Sequence, residues 1–202
     1  MLDYNYNVAC RQKSDIQEHL KTLRLYGEKC NHITECGVRM VVSSYAFAMA
    51  LKGKTPNKFV QVDLQSNARI EAFKEECKAE GVFVIFYQQN DLECPLEQTD
   101  LLFLDTWHVY GHLKLELARW HPYVNKYIII HDTTIDAEMG ESIRMGADIA
   151  KLSSITKLPV DEIKKGIWPA IEKFVQKNPW RIRERFTNNN GLTVLEKVIK
   201  ML

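Results

Sequence analysis

Acidic side chains recur where short apolar runs stop. Glu35 stands beside Gly37, Asp63 follows Phe59 to Val62, and Asn90-Asp91 lies beyond Val82 to Tyr87. Asp105 follows Leu101 to Leu104, and His131-Asp132 follows Tyr127 to Ile130. One acid after a strand is an ordinary turn former or helix N-cap. Five in succession point instead to a site, because ligands of open α/β sheets bind beyond the carboxyl ends of the strands. Glu35-Cys36-Gly37-Val38-Arg39-Met40-Val41 excludes a dinucleotide loop, since it has one glycine where G-x-G-x-x-G would seat a pyrophosphate. There is no G-x-x-x-x-G-K-[ST] loop either. A carboxylate beside one glycine suits a ligand with an ammonium-bearing tail, and Asp63 can accept hydrogen bonds from both ribose hydroxyls. S-adenosylmethionine carries both features.

The histidines allow other chemistry. His108 and His112 are four apart, the spacing of two zinc ligands on a helix, but the glutamate of H-E-x-x-H is missing. His108, His131 and Asp132 could form a two-histidine, one-carboxylate centre with open positions, which would make the chain a metal-dependent oxygenase or hydrolase. Cys36 reads as a small apolar filler at a strand end. Trp107, Tyr110, Trp168 and Trp180 are core aromatics or could line a sugar pocket, with Trp107 favoured for the latter by position alone. Arg181, Arg183 and Arg185 alternate along one strand and should share a face.

These residues need elements to hold them. Ser14 and Gln17 form a capping-box pattern ahead of Ile16, Leu20 and Leu23, which predicts a lead-in helix over about 14–28. Strand and helix then alternate: a strand over His32 to Cys36, a buried helix over Met40 to Leu51, a strand over Phe59 to Val62, and a helix over 67–79. Strands over Val82 to Tyr87, Leu101 to Leu104 and Tyr127 to Ile130 follow, with a helix over 110–120 before the last. Repeated βα units predict a parallel sheet with helices on both faces. Residues 135–158 lack a period and form a partly helical insertion, the expected acceptor lid. A helix over 160–176 should kink or restart at Pro169, and Trp180 to Phe186 and Leu192 to Ile199 flank an Asn-Gly turn, predicting a hairpin.

The 202 residues suffice for one domain, and no linker or repeat divides them. With 27 basic and 26 acidic side chains, the chain has no field that nucleic acid or an anionic membrane would reward. Five cysteines without a CxxC pair speak against a disulfide framework and for a reducing compartment. No apolar run could span a bilayer, and the start shows no targeting segment, so a cytoplasmic location is expected.

Ile33-Thr34-Glu35-Cys36-Gly37-Val38-Arg39, Val62-Asp63-Leu64, Asn90-Asp91-Leu92, the segment Thr99 to His108, and Lys126 to Thr133 resemble the successive motifs of class I S-adenosylmethionine-dependent methyltransferases. The resemblance covers nearly the whole chain. The D-x-x-H of Asp105 and His108, with the acid in His131-Asp132, looks most like metal-dependent sugar O-methyltransferases and cephalosporin-hydroxylase-like proteins. The hairpin around Asn189-Asn190-Gly191 is similar to the one that closes that group.

The resemblance implies a Rossmann-like, three-layer α/β/α fold with a mostly parallel sheet and a C-terminal antiparallel hairpin. It implies S-adenosylmethionine as cofactor, with Glu35, Gly37 and Arg39 around the methionine moiety, Asp63 on the ribose and Asp91 facing the adenine. Ser43 and Asn90 would also belong to the cofactor site. Asp105, His131 and Asp132 would hold a divalent cation, expected to be magnesium, with His108 as general base and Asp105 beside it in catalysis. The acceptor would be a sugar hydroxyl on a glycan or glycosylated small molecule, a deoxyhexose such as rhamnose being compatible, as is a homo-oligomer. Two positions depart from the pattern. Val41 replaces the second glycine of E-x-G-x-x-x-G, which keeps open a non-catalytic module that retains the fold, and His131 stands where the family often has an acid.

Overall fold

The structure is a computed structural model and describes residues 1–198. Its helices are α1 (Leu2–Ala9), α2 (Leu20–Gly27), α3 (Val42–Leu51), α4 (Ala68–Ala79), α5 (Tyr110–Trp120), α6 (Glu141–Arg144), α7 (Ile149–Thr156), α8 (Val160–Lys164) and α9 (Trp168–Lys177). The strands are β1 (His32–Cys36), β2 (Lys58–Asp63), β3 (Val84–Gln88), β4 (Thr99–Leu104), β5 (Val124–His131), β6 (Trp180–Phe186) and β7 (Leu192–Lys197). They form one sheet in the order β3-β2-β1-β4-β5-β7-β6. The first five are parallel, and β7 lies antiparallel between β5 and β6.

Strands with helices on both faces bury both sets of alternating side chains, so β4 and β5 read as nearly continuous apolar runs. Leu101, Phe103, Ile129 and Val194 pack with α1 to α4 through Leu2, Leu23, Phe47 and Phe73. Leu102, Leu104, Ile128, Ile130 and Leu195 pack on the other side with α5 and α9 through Leu113, Leu117 and Ile171. This is the expected three-layer α/β/α arrangement with its closing hairpin.

Several expected elements differ in detail. The lead-in helix begins later, because residues 17–19 form a tight 3-10 turn before α2; Ser14 N–H donates to Gln17 Oε1 (2.6 Å), one half of the capping box. α1 has no strong sequence period, yet Leu2 and Tyr6, one turn apart, are buried. The helix expected over 160–176 is two, α8 and α9, with Pro169 in the first turn of the second. β7 stops at Lys197, and Ile199 lies outside the described residues. A register irregularity between Ile182 and Glu184 breaks the alternation of β6: Arg181 and Arg183 pair with Glu196, whereas Arg185 lies over the Trp168 ring. No described helix is long and apolar enough to cross a membrane.

One close approach fixes the carboxyl edge. Gly37 has φ +89°, and a Cβ there would lie 1.9 Å from the Asp105 carbonyl oxygen. Gly37 N–H donates to Val62 O and Asp105 N–H to Cys36 O, both at 2.9 Å, lacing the ends of β1, β2 and β4 together. Val41, at the N-cap of α3, takes φ +58° although it is β-branched and nearly fully buried. It occupies a left-handed conformation that a glycine adopts far more readily, at a cost on the order of 1–3 kcal/mol.

Gly53 offers an internal control, with φ +77° but nothing within 4 Å of an added Cβ. Gly53→Ala should cost about 1–2 kcal/mol from the left-handed backbone alone. Gly37→Ala must also displace a backbone carbonyl and should cost more than about 3 kcal/mol in urea denaturation. Equal losses would show that the close approach does not govern stability.

Candidate active site

A cavity of about 760 Å³ opens beyond the carboxyl ends of β1 to β4. Gly37, Arg39, Asp63, Asn90, Asp91 and Asp105 all line it, and Trp107 adds an aromatic wall. Leu152 and Ile155 of α7, with Thr156 and Leu158, bring the 135–158 insertion and its end to the same cavity. Trp107 Nε1–H donates to Ser142 Oγ (2.9 Å), which ties the wall to α6.

Asp63 holds the floor. Its Oδ2 accepts the N–H groups of Val38 (2.8 Å) and Arg39 (2.9 Å), and Oδ1 accepts Gln65 N–H (3.0 Å). A carboxylate has about four acceptor positions, so further donors can be received.

Glu35 and Ser43 do not line the cavity. Glu35 lies within β1 and is fully buried, where it accepts hydrogen bonds from the Ser43 and Ser44 hydroxyls (2.6 Å each) and from Gln61 Nε2 (2.9 Å). Burial pushes its carboxyl up to about 7 against these three donors. This network underlies the first loop and fixes the start of α3.

Behind Asp105 lies a compact acid-imidazole cluster. His108 Nδ1 is 2.9 Å from Asp132 Oδ2, and its Nε2 is 3.3 Å from Asp105 Oδ1. Asp136 and Glu141 are 3.5 and 3.7 Å from the same Nδ1. Burial opposes a charge on His108, but the surrounding carboxylates hold it protonated well above its ordinary range. Burial likewise opposes the charge on Asp105, yet His131 and His108 hold its carboxyl well below the usual carboxylate range. Asp136 is neutralised from outside, since Arg144 pairs with both its oxygens (2.7 and 2.8 Å).

His131 is oriented from behind. Its Nε2 faces the carbonyl oxygens of Asp15 (3.1 Å) and Asn189 (3.3 Å), which can only accept, so that nitrogen carries a proton. Its Nδ1 is 3.2 Å from Asp105 Oδ1 and 3.5 Å from Asp132 Oδ1. Burial disfavours the imidazolium, but Asp105 raises His131 to about 9. Asp132 takes φ +56°, a backbone that aspartate tolerates better than most residues.

A second cluster sits along the cavity wall. His112 Nε2 lies 3.4 Å from Asp91 Oδ1 and 3.7 Å from Glu116 Oε1. Burial alone would lower His112, but Glu116 and Asp91 raise it to about 9. Burial pushes Glu116 up to about 8 against the attraction of His112. His108 and His112 thus belong to different clusters and do not act as one zinc pair.

His108 and His131 also divide: His131 groups with Asp105 and Asp132, and His108 with Asp132 and Asp136. Asp136, Glu141 and Glu116 were not singled out by spacing after strands. Asp132 to Asp136 and His112 to Glu116 are each four apart, but that spacing alone does not tell a buried acid from a solvated one.

No protein-family model matches the sequence, and no curated protein matches it. Solved structures do match over nearly the whole chain. A Corynebacterium glutamicum protein superposes with a TM-score of 0.66 at 12% identity, covering 99% of this chain and 90% of its own. The O-methyltransferase TomG of Streptomyces achromogenes, involved in tomaymycin synthesis and solved with SAM, gives 0.59 at 13% identity, covering 98% and 89%. An O-methyltransferase of Bacillus cereus solved with SAH gives 0.57 at 12%, covering 97% and 90%. Together with the strand order, these likenesses give the chain the class I methyltransferase fold.

The Glu35 network makes a prediction about pH. A carboxyl raised from 4.5 to about 7 on folding contributes stability below pH 4.5 that is lost as pH rises through 7. Glu35→Gln keeps the side chain and cannot ionise. Its stability relative to the native protein should therefore grow between pH 4.5 and 7, by about 3 kcal/mol at most. Parallel denaturation curves at every pH would contradict this.

Proposed function

We propose that the chain is an S-adenosylmethionine-dependent O-methyltransferase whose acceptor is a sugar hydroxyl on a glycan or glycosylated small molecule. The observation that carries this reading is one cavity lined both by the glycine loop with Asp63 and Asp91 and by Asp105, a member of the acid-imidazole cluster. The fold's neighbours solved with SAM and SAH support the cofactor. Gly37 and Arg39 would border the methionine moiety, Asp63 would meet the ribose, and Asn90 and Asp91 would meet the adenine. Glu35 and Ser43 would act from beneath, by fixing the loop. Trp107 offers an aromatic face to the apolar side of a sugar ring, and the 135–158 insertion would cover the acceptor.

Asp105, His131 and Asp132 fit a divalent cation, expected to be magnesium. Their ligand atoms lie within 4.8 Å of one another, Asp132 Oδ1 is enclosed without a hydrogen-bond partner, and the Nε2 proton of His131 leaves Nδ1 as the potential donor. A bound cation would supply Lewis acidity toward the acceptor hydroxyl and neutralise carboxylates that otherwise keep His108 protonated. In this reading Asp132 orients the His108 ring through Nδ1, and Nε2 is the atom that takes the hydroxyl proton on the Asp105 side. Asp105 meets the acceptor directly, since it and Glu141 are the members of this cluster that share the cavity with Trp107.

Calorimetric titration with S-adenosylmethionine, with and without magnesium, should show binding that Asp63→Ala abolishes. Asp105→Ala, Asp132→Ala and His108→Ala should retain cofactor binding while losing at least about 100-fold in turnover on rhamnosylated acceptors. Full turnover in all three would remove the site assignment, and no cofactor binding by the native protein would remove the methyltransferase reading.

A further inference from the structure

The geometry points to a second divalent-cation site, of the zinc class, formed by Asp91, His112 and Glu116 in the wall of the cavity. It uses none of the residues assigned to the Asp105 cluster and shares only Asp91 with the proposed cofactor site. His112 and Glu116 lie one turn apart on α5, and Asp91 reaches them from the segment after β3.

All three residues are more than nine-tenths buried. Even so, His112 Nε2 and Asp91 Oδ2 are enclosed without any hydrogen-bond partner. Buried polar atoms are rarely left so, because each costs its full desolvation. The separations of 3.4 and 3.7 Å from Nε2 to the two carboxylates are long for hydrogen bonds. They match the spacing of neighbouring ligand atoms around a tetrahedral zinc, about 3.4 Å for bonds of roughly 2.0–2.1 Å.

Charge favours the same occupant. Two carboxylates face one imidazole, and among the described residues no lysine or arginine pairs with Asp91 or Glu116. Thr106 Oγ1–H donates to Glu116 Oε1 (2.6 Å), and the Trp107 ring packs 5.8 Å from that of His112. Such supporting contacts orient metal ligands. One imidazole nitrogen with two carboxylate oxygens suits zinc, cobalt or manganese better than magnesium, which takes oxygen donors and keeps its waters. Asp91 and His112 line the cavity whereas Glu116 does not, so a fourth position would open toward a bound small molecule.

The test is cobalt titration of the chelator-treated full chain, followed by visible absorption. Four-coordinate cobalt should give a d–d band that His112→Ala and Glu116→Gln remove, that His131→Ala retains, and that zinc bleaches. Glu116→Gln keeps the acceptor for Thr106 and nearly the same volume, so it should remain folded where His112→Ala is in doubt. Zinc should also raise the thermal midpoint of the native chain but not that of Glu116→Gln. The site is overturned if no such band forms, if both variants keep it, or if only His131→Ala loses it. Cofactor calorimetry judges the methyltransferase reading separately.

Discussion

The carboxyl edge of the sheet depends on two backbones meeting at Gly37 and Asp105. With no side chain at Gly37, the first loop rests directly on the carbonyl of the residue that leads into the acid-imidazole cluster. Loop and cluster therefore cannot move independently. Asp63 extends the same constraint sideways by accepting the next two backbone N–H groups, so the ends of β1, β2 and β4 behave as one rigid floor. Strained positions such as Val41 and Asp132 persist because the structure around them is over-determined, as is common near functional sites.

Above that floor the governing problem is charge out of water. Asp105, Asp132, Asp136, Glu116 and Asp91 are all largely or fully buried or pressed against buried imidazoles. Isolated, each would be prohibitively costly; paired, each imidazole is held protonated and each paired carboxylate is eased. Arg144 satisfies Asp136 from the outside, and backbone carbonyls fix His131 from behind. The outcome is a set of groups whose charge states are mutually dependent, as perturbed titratable groups in functional clefts often are.

Much of this was legible in the sequence. The βα alternation placed the strands, and the acids after them placed the cavity, because strand ends are where open sheets expose polar groups. Position on a strand did not reveal which way a side chain turns: Glu35 points into a serine-glutamine network beneath the loop, two residues before Gly37, which faces the cavity. Nor could helical period identify Glu116, since an acid on an amphipathic helix usually faces water. Asp136 and Glu141 belong to a segment without period, and their approach to His108 follows from tertiary folding alone. α1 was missed because two buried side chains are too few to make a pattern.

The insertion of β7 between β5 and β6 has a consequence for synthesis of the chain. β6 leaves the ribosome first, yet its sheet neighbour is made after it. Until residues 192–197 emerge, the outer edge of β5, with Tyr127 to Ile130, has no partner and offers an apolar template for mispairing. The turn before β7 also supplies the Asn189 carbonyl that orients His131. The cluster at Asp105 is thus completed by residues made after β6, and a nascent chain would be exposed to aggregation at the same time as it lacks a finished site.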